Sequence, residues 1–169
     1  MSKYVQSTKY LNEIIELHSY VKKYLIICEE ISETTFLQPL KEERDAYDHL
    51  LIAFSLDWKD TKALSNFKSA KNHEERAFFD VMDFFCITLK EKIANEVNAI
   101  IATGKKISEV YPRYADMREL LLSSIKQIAD IRYRRDLSEN AMDIKTYIDI
   151  AEKIFDFYKE IETKANLYK

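Results

Sequence analysis

The chain has 169 residues with a formal net charge of −3, and it contains one glycine, two prolines and two cysteines. A single glycine cannot supply the positive-φ turns of a strand-rich fold, and the acidic balance is unlike that of an electrostatically driven nucleic-acid binder. We therefore expect an all-α protein, built as a single up-and-down helical bundle of about five helices in one domain over residues 1–169. No apolar run is long enough for a membrane span, and both cysteines lie in apolar stretches, which predicts a reduced, cytoplasmic protein.

The first predicted helix covers about residues 4–31. Its buried face is an apolar row at alternating spacings of three and four, formed by Leu11, Ile14, His18, Val21, Leu25 and Cys28. A lone histidine in such a row is typical of a hydrogen-bonded core residue. A second apolar row lies beside the first, and a helix that is apolar over this width predicts neighbours on two sides or a dimer interface.

The second predicted helix begins near Pro39, which suits a first helical turn, and runs to about Leu56. One face of this helix is mostly apolar, and we expect it to be the seam that packs in the bundle: Leu40, Arg44, Tyr47, Leu51 and Phe54. Because Arg44 lies on this seam, a buried ion pair with a carboxylate of another helix is one interpretation of it.

A second interpretation rests on the segment ERDAYDH at residues 43–49, in which four residues separate Arg44 from His49. This Arg-x4-His pattern resembles the HEPN ribonuclease motif, with Asp45 at its variable polar position. The resemblance implies a small helical bundle that dimerises and cleaves RNA without a metal. Arg44 would then steady the scissile phosphate, and His49 would transfer a proton or orient the attacking 2′-hydroxyl, with help from Asp48 or Arg76.

The same residues also fit a structural role. Arg44 and Asp48 are four residues apart, as are Asp45 and His49, and such pairs stabilise helix surfaces by a few tenths of a kcal/mol. The pattern therefore leaves a catalytic site and a set of surface pairs open as alternatives.

The third predicted helix follows Asp60, a suitable N-cap residue, and ends at Gly104. Asn72 and Glu75 form a capping-box-like pair, which predicts a break or kink near residues 69–72. The strongest core signal of the chain follows this point, in a stripe of large apolar residues: Phe78, Met82, Phe85, Leu89, Ile93, Val97 and Ile100.

A polar stripe runs along the same helix and consists of His73, Arg76, Asp80 and Asp83. These residues could meet Asp45 or Asp48 across the bundle in a buried network that locks helix register, and the structural role is favoured. The alternative is that the stripe lines a functional cleft.

The fourth predicted helix starts near residues 108–112 and ends near residue 136, and Ser138 is expected to cap the fifth. Arg132 and Arg135 share a face at the end of the fourth helix. Arginines there complement the negative end of the helix dipole, and a contact with phosphate is the alternative.

No cofactor is predicted. One glycine excludes the glycine-rich phosphate loops, and no glutamate precedes a histidine by three residues as in helical di-iron bundles. Asp45, His49 and His73 could together ligate a metal, but the pattern favours no metal site. The leading prediction is a non-catalytic protein that binds another protein or a second copy of itself; RNA is a partner only under the ribonuclease hypothesis, and neither a membrane nor a nucleotide cofactor is expected.

Overall fold

The computed structural model describes residues 2–135 and 141–167, and within these residues the protein is an all-α helical bundle without strands. The helices are α1 (Lys3–Ser32), α2 (Leu37–Phe54), α3 (Thr61–Ala102), α4 (Ile107–Val110), α5 (Tyr114–Arg135) and α6 (Ala141–Asn166). The predicted fold class is confirmed, with six helices rather than about five. In the described part of the chain, no helix combines the length and the apolar character that crossing a membrane requires.

The ends of the long helices follow local sequence signals. The Ser2 side chain accepts a hydrogen bond from the Val5 N–H at the start of α1, and the Asp60 carboxylate accepts one from the Lys62 N–H at the start of α3. Gly104 follows α3 with φ of 81°, in the left-handed conformation that glycine adopts at low cost. The predicted roles of Asp60 and Gly104 are thus confirmed.

Helix α3 is continuous over its 42 residues, so the break predicted near residues 69–72 is wrong. Ser69 and Asn72 lower helix propensity by only a fraction of a kcal/mol each, which tertiary packing readily offsets. Ala70 lies in a buried cluster with Ile14 of α1 and Ala46 of α2, so packing holds the helix where the capping pair would have interrupted it.

Pro112 accounts for the additional helix. Proline disfavours the helical conformation at the residue before it, and Tyr111 has φ of −133° and ψ of 87°. The segment predicted as the start of one helix is therefore divided into the single turn of α4 and the longer α5. The predicted cap at Ser138 lies outside the described residues.

The helices group into two compact units, the first within Met1–Phe85 and the second within Cys86–Lys169. In the first unit, α1, α2 and the earlier part of α3 bury a core that includes Val21, Tyr24, Cys28, Ala46, Ala53, Phe67, Phe78 and Met82. In the second unit, the later part of α3 and the helices after it bury Leu89, Ile100, Met117, Ile131, Tyr147, Ile154 and Ile161. Every member of the predicted α3 stripe is buried, as the sequence indicates.

Candidate functional site

Helix α2 has two faces of opposite character, and the predicted seam is on the solvent side. The residues that α2 buries are Pro39, Ala46 and Ala53. Its large apolar side chains are between 39% and 71% exposed: Leu37, Leu40, Tyr47, Leu51, Ile52 and Phe54. The prediction that the Leu40–Phe54 row packs in the bundle is therefore wrong for Leu40, Tyr47 and Leu51, whereas the half-exposed ring of Phe54 packs edge-on against the buried Phe67. Helix α2 packs through its alanines, because small side chains allow its backbone to approach α3 closely.

Arg44 lies in the middle of the outward face. Its side chain is 66% exposed, and its Nη2 donates to Asp45 Oδ1 over 2.9 Å. This hydrogen-bonded pair raises the pKa of Arg44 and lowers the pKa of Asp45. The buried ion pair that the sequence suggested for Arg44 is thus not formed; the pair is local and exposed. Asp48, one turn further along, is also exposed.

His49 lies on the inward side of α2. Residues five apart on a helix point about 140° away from each other, and the structure separates Arg44 from His49 in this way. His49 Nδ1 is 2.9 Å from Asn66 Oδ1 of α3. Asn66 Nδ2 donates to the Lys62 carbonyl oxygen, which makes Oδ1 the acceptor. If His49 Nδ1 donates in this hydrogen bond, Nε2 is the ring nitrogen that is left to accept a proton.

The polar stripe of α3 meets α2 at a carboxylate that the sequence did not single out. Glu42 Oε2 lies 2.9 Å from His73 Nδ1 and accepts a hydrogen bond from Arg76 Nε at 2.8 Å. Glu42, rather than Asp45 or Asp48, therefore joins His73 and Arg76 across the two helices. Burial favours a higher pKa for Glu42, but the hydrogen bonds from His73 and Arg76 outweigh it and lower its pKa below the usual value.

We call this arrangement the Glu42 cluster: Glu42, His49, Asn66, His73 and Arg76. The rings of His49 and His73 stack with 5.3 Å between their centroids. Glu42 and His49 are seven residues apart on α2, and Asn66 and His73 are seven apart on α3. This shared spacing of two turns is the sequence signal that could have identified the cluster, since it places both pairs on facing sides of antiparallel helices.

The remaining predicted polar residues are on α3 and α5. Asp80 and Asp83 are half-buried further along α3. Arg132 is exposed near the end of α5, whereas the side chain of Arg135 lies outside the described residues. A shared phosphate site for the two arginines therefore stays a prediction.

A second polar cluster joins α1, α2 and α3 and was missed by the sequence pattern. We call it the Glu74 cluster: His18, Glu43 and Glu74. His18 Nδ1 is 3.1 Å from Glu43 Oε1 and 3.5 Å from Glu74 Oε1. The ligand-capable atoms of the three side chains all lie within 4.8 Å of one another. This arrangement, rather than Asp45, His49 and His73, groups potential metal ligands in the described part of the chain.

The electrostatics of the Glu74 cluster differ from those of the Glu42 cluster. Glu74 is 4% exposed, and burial together with the Glu43 charge raises its pKa to about 7, although His18 opposes the shift. Burial likewise raises the pKa of Glu43. His18 itself is 53% exposed, so the predicted core histidine lies at the solvent edge of this cluster.

Protein-family models, curated proteins and solved structures contain no significant match to this chain. Function therefore has to be inferred from the surfaces and clusters described above.

Proposed function

We propose that this protein acts by self-association, as a homodimer joined through the outward face of α2. The observation that carries the proposal is the inverted character of this helix, which buries alanines and exposes six large apolar side chains. Side chains of this size and exposure present on the order of 500 Å² of apolar surface. An exposed apolar surface of this size is often functional, and here it surrounds the charged side chains of Arg44 and Asp48.

The distribution of charge on this face favours a second copy as the partner. On an antiparallel pair of α2 helices related by a two-fold axis at the level of residue 46, Arg44 lies opposite Asp48 of the other copy, and Leu40 lies opposite Ile52. Each ion pair then occurs twice, as in isologous interfaces. A standard specific interface buries roughly 800 Å² per partner, so the apolar side chains of this face would form the larger part of one.

Sedimentation equilibrium of the wild-type protein and two charge reversals tests this pairing. Arg44→Asp places acidic residues opposite each other and Asp48→Arg places basic residues opposite each other, so we expect each variant alone to be monomeric. Their equimolar mixture should form a heterodimer, since the aspartate introduced in one chain then faces the arginine introduced in the other.

Leu51→Lys should also abolish the dimer. Leu122→Lys, at an exposed leucine of α5, is the matched control and should leave the dimer intact. A wild-type monomer at high micromolar concentration would rule out the proposal. If Arg44→Asp and Asp48→Arg each remained dimeric alone, the pairing of Arg44 with Asp48 would be ruled out.

RNA cleavage is a second candidate function, and the stacked His49 and His73 favour it. His49 presents a basic Nε2 that could accept the proton of a 2′-hydroxyl as its oxygen attacks phosphorus. Arg76, half-exposed beside the rings, offers a cation for the phosphate. The reaction would leave a 2′,3′-cyclic phosphate, and the departing 5′-oxygen would take up a proton from the imidazolium.

The test is incubation with cellular RNA in EDTA. Cleavage that is lost in His49→Ala and in Arg44→Ala would support the motif-based hypothesis. Loss in His49→Ala and Arg76→Ala but not in Arg44→Ala would assign the activity to the Glu42 cluster instead. Intact RNA with the folded wild-type protein would exclude this candidate without affecting the dimer proposal.

A further inference from the structure

The structure assigns a binding site for one divalent transition-metal ion, of which Zn²⁺ is the best probe, to the Glu74 cluster. The site takes one ligand from each of three helices of the first unit: His18 from α1, Glu43 from α2 and Glu74 from α3. One imidazole nitrogen and two carboxylate oxygens form a donor set that suits borderline ions such as Zn²⁺.

The separations between the donor atoms fit such an ion. In a tetrahedral site with metal–ligand bonds of about 2.0–2.1 Å, neighbouring ligand atoms are about 3.3–3.4 Å apart. The two distances from His18 Nδ1, 3.1 Å to Glu43 and 3.5 Å to Glu74, lie on either side of that value. The three ligand atoms lie within 4.8 Å of one another, so a tetrahedral site would need the two carboxylate oxygens to approach each other by at most about 1.4 Å.

Glu74 supplies an independent observation that points to a ligand. Its Oε2 is buried and has no hydrogen-bond partner among the described residues. A buried carboxylate oxygen without a partner costs free energy, because it has lost its water and gained nothing in exchange. Coordination to a cation would satisfy this oxygen as well as Oε1.

The charge of the cluster also calls for a cation. A carboxylate oxygen of Glu43 and one of Glu74 lie within 4.8 Å of each other, so two negative charges at these positions would repel across the site. The basic group that pairs with both is His18, which is not a permanent cation. A divalent ion would neutralise both carboxylates, whereas in the Glu42 cluster the guanidinium of Arg76 already balances the single carboxylate.

The site has access to solvent through His18, which is half-exposed, while Glu74 closes the inner side. Three protein ligands leave a fourth position for water, as in open zinc sites. Because the ligands come from three helices, the ion would bind the folded state alone and raise the melting temperature of the protein.

Isothermal titration of the EDTA-stripped protein with Zn²⁺ tests the site. We expect one ion per chain, and at least a tenfold loss of affinity in Glu74→Gln and in Glu43→Gln, since an amide replaces a charged ligand without changing shape. The matched control is His73→Gln, which alters the histidine–glutamate pair between α2 and α3 and should bind Zn²⁺ as the wild type does. Circular dichroism establishes that each variant is folded.

Histidine side-chain NMR locates the ion. The chain has three histidines, so the ring signals of His18, His49 and His73 can be assigned by single substitutions. The first equivalent of Zn²⁺ should shift the His18 nitrogens and leave the other two rings unchanged. No binding by the folded wild type at millimolar Zn²⁺, or binding that persists in Glu74→Gln and Glu43→Gln, would overturn the proposal. Perturbation of His49 and His73 in place of His18 would overturn it equally.

Discussion

Glu42 and Glu43 are adjacent in sequence, yet their carboxylates have opposite electrostatic surroundings. About 100° of helix rotation separates them, so Glu42 contacts α3 and Glu43 faces α1. Glu42 meets His73 and Arg76, and its pKa is lowered. Glu43 meets His18 and a second carboxylate, and its pKa is raised, as is that of Glu74.

The difference shows that burial alone does not determine the state of a carboxylate. Desolvation raises the pKa in both clusters, and the identity of the facing groups decides the net direction. A guanidinium that cannot be deprotonated makes the Glu42 cluster self-sufficient. The Glu74 cluster has two acids and one histidine, so it needs a proton or a metal ion to balance its charge.

Among substitutions in the two clusters, we expect Glu74→Gln to change the free energy of unfolding most. The measurement is made in EDTA, so that no metal ion contributes. The pKa of Glu74 in the folded protein, about 7, lies above its ordinary value. The stability that Glu74 contributes is therefore fully present below about pH 4.5, where its carboxyl is protonated, and is lost as the pH rises through 7. His18 and Glu43 are the groups that face Glu74.

Urea denaturation at pH 5 and pH 8 measures this effect. We expect the free energy of unfolding of the wild type to fall between these two values of pH, and Glu74→Gln to exceed the wild type by about 2 kcal/mol at pH 8. Glu91→Gln, on the exposed side of the same helix, is the control and should follow the wild type. Parallel profiles for Glu74→Gln and the wild type would contradict the elevated pKa.

Glu42→Gln should have a smaller effect of the opposite sign. The pKa of Glu42 is lowered in the folded protein, so its contribution is present above the ordinary pKa and is lost as the pH falls through the lowered value. We expect a loss of about 1 kcal/mol at pH 7, the typical value of a hydrogen-bonded charge whose partner Arg76 is half-exposed. The loss should become smaller as the pH falls from 7 to 3, and a loss of equal size at both pH values would show that packing, not charge, is responsible.

Arg44→Ala should have the smallest effect on the unfolding of the monomer. Its pair with Asp45 is exposed, so solvent screens the attraction. The denaturation midpoint at a protein concentration below dimer formation should match that of the wild type. A lower midpoint would mean that Arg44 stabilises the fold, and its position on the outward face would then not be explained by partner binding alone.

Parts of the candidate site were predictable from the sequence. His73 and Arg76 do form a polar network with α2, because residues three apart share a helix face. Their partner was predicted as Asp45 or Asp48, whereas the structure supplies Glu42. All three acids are close in sequence, and only the orientation of α2 determines which one faces α3.

Glu74 illustrates a feature that spacing cannot reveal. In the sequence it is one acid among the 29 acidic residues of the chain, with a solvated surface position as the ordinary expectation. Its burial depends on α1 and α2 covering the same stretch of α3. The meeting of three helices at one point is a long-range property, and no local pattern encodes it.

The sequence by itself determined that the chain is helical, because a chain with one glycine and strong helical periodicity has few other ways to satisfy its backbone. It also determined where α3 begins and ends, through the side-chain cap of Asp60 and the left-handed Gly104. Only the tertiary structure decided which face of α2 is buried. Both faces have helical spacing, but only the alanine face allows the backbones of α2 and α3 to come close. Packing through this face also pairs Glu42 with His73 and His49 with Asn66. The larger apolar side chains of α2 are then left on the solvent side.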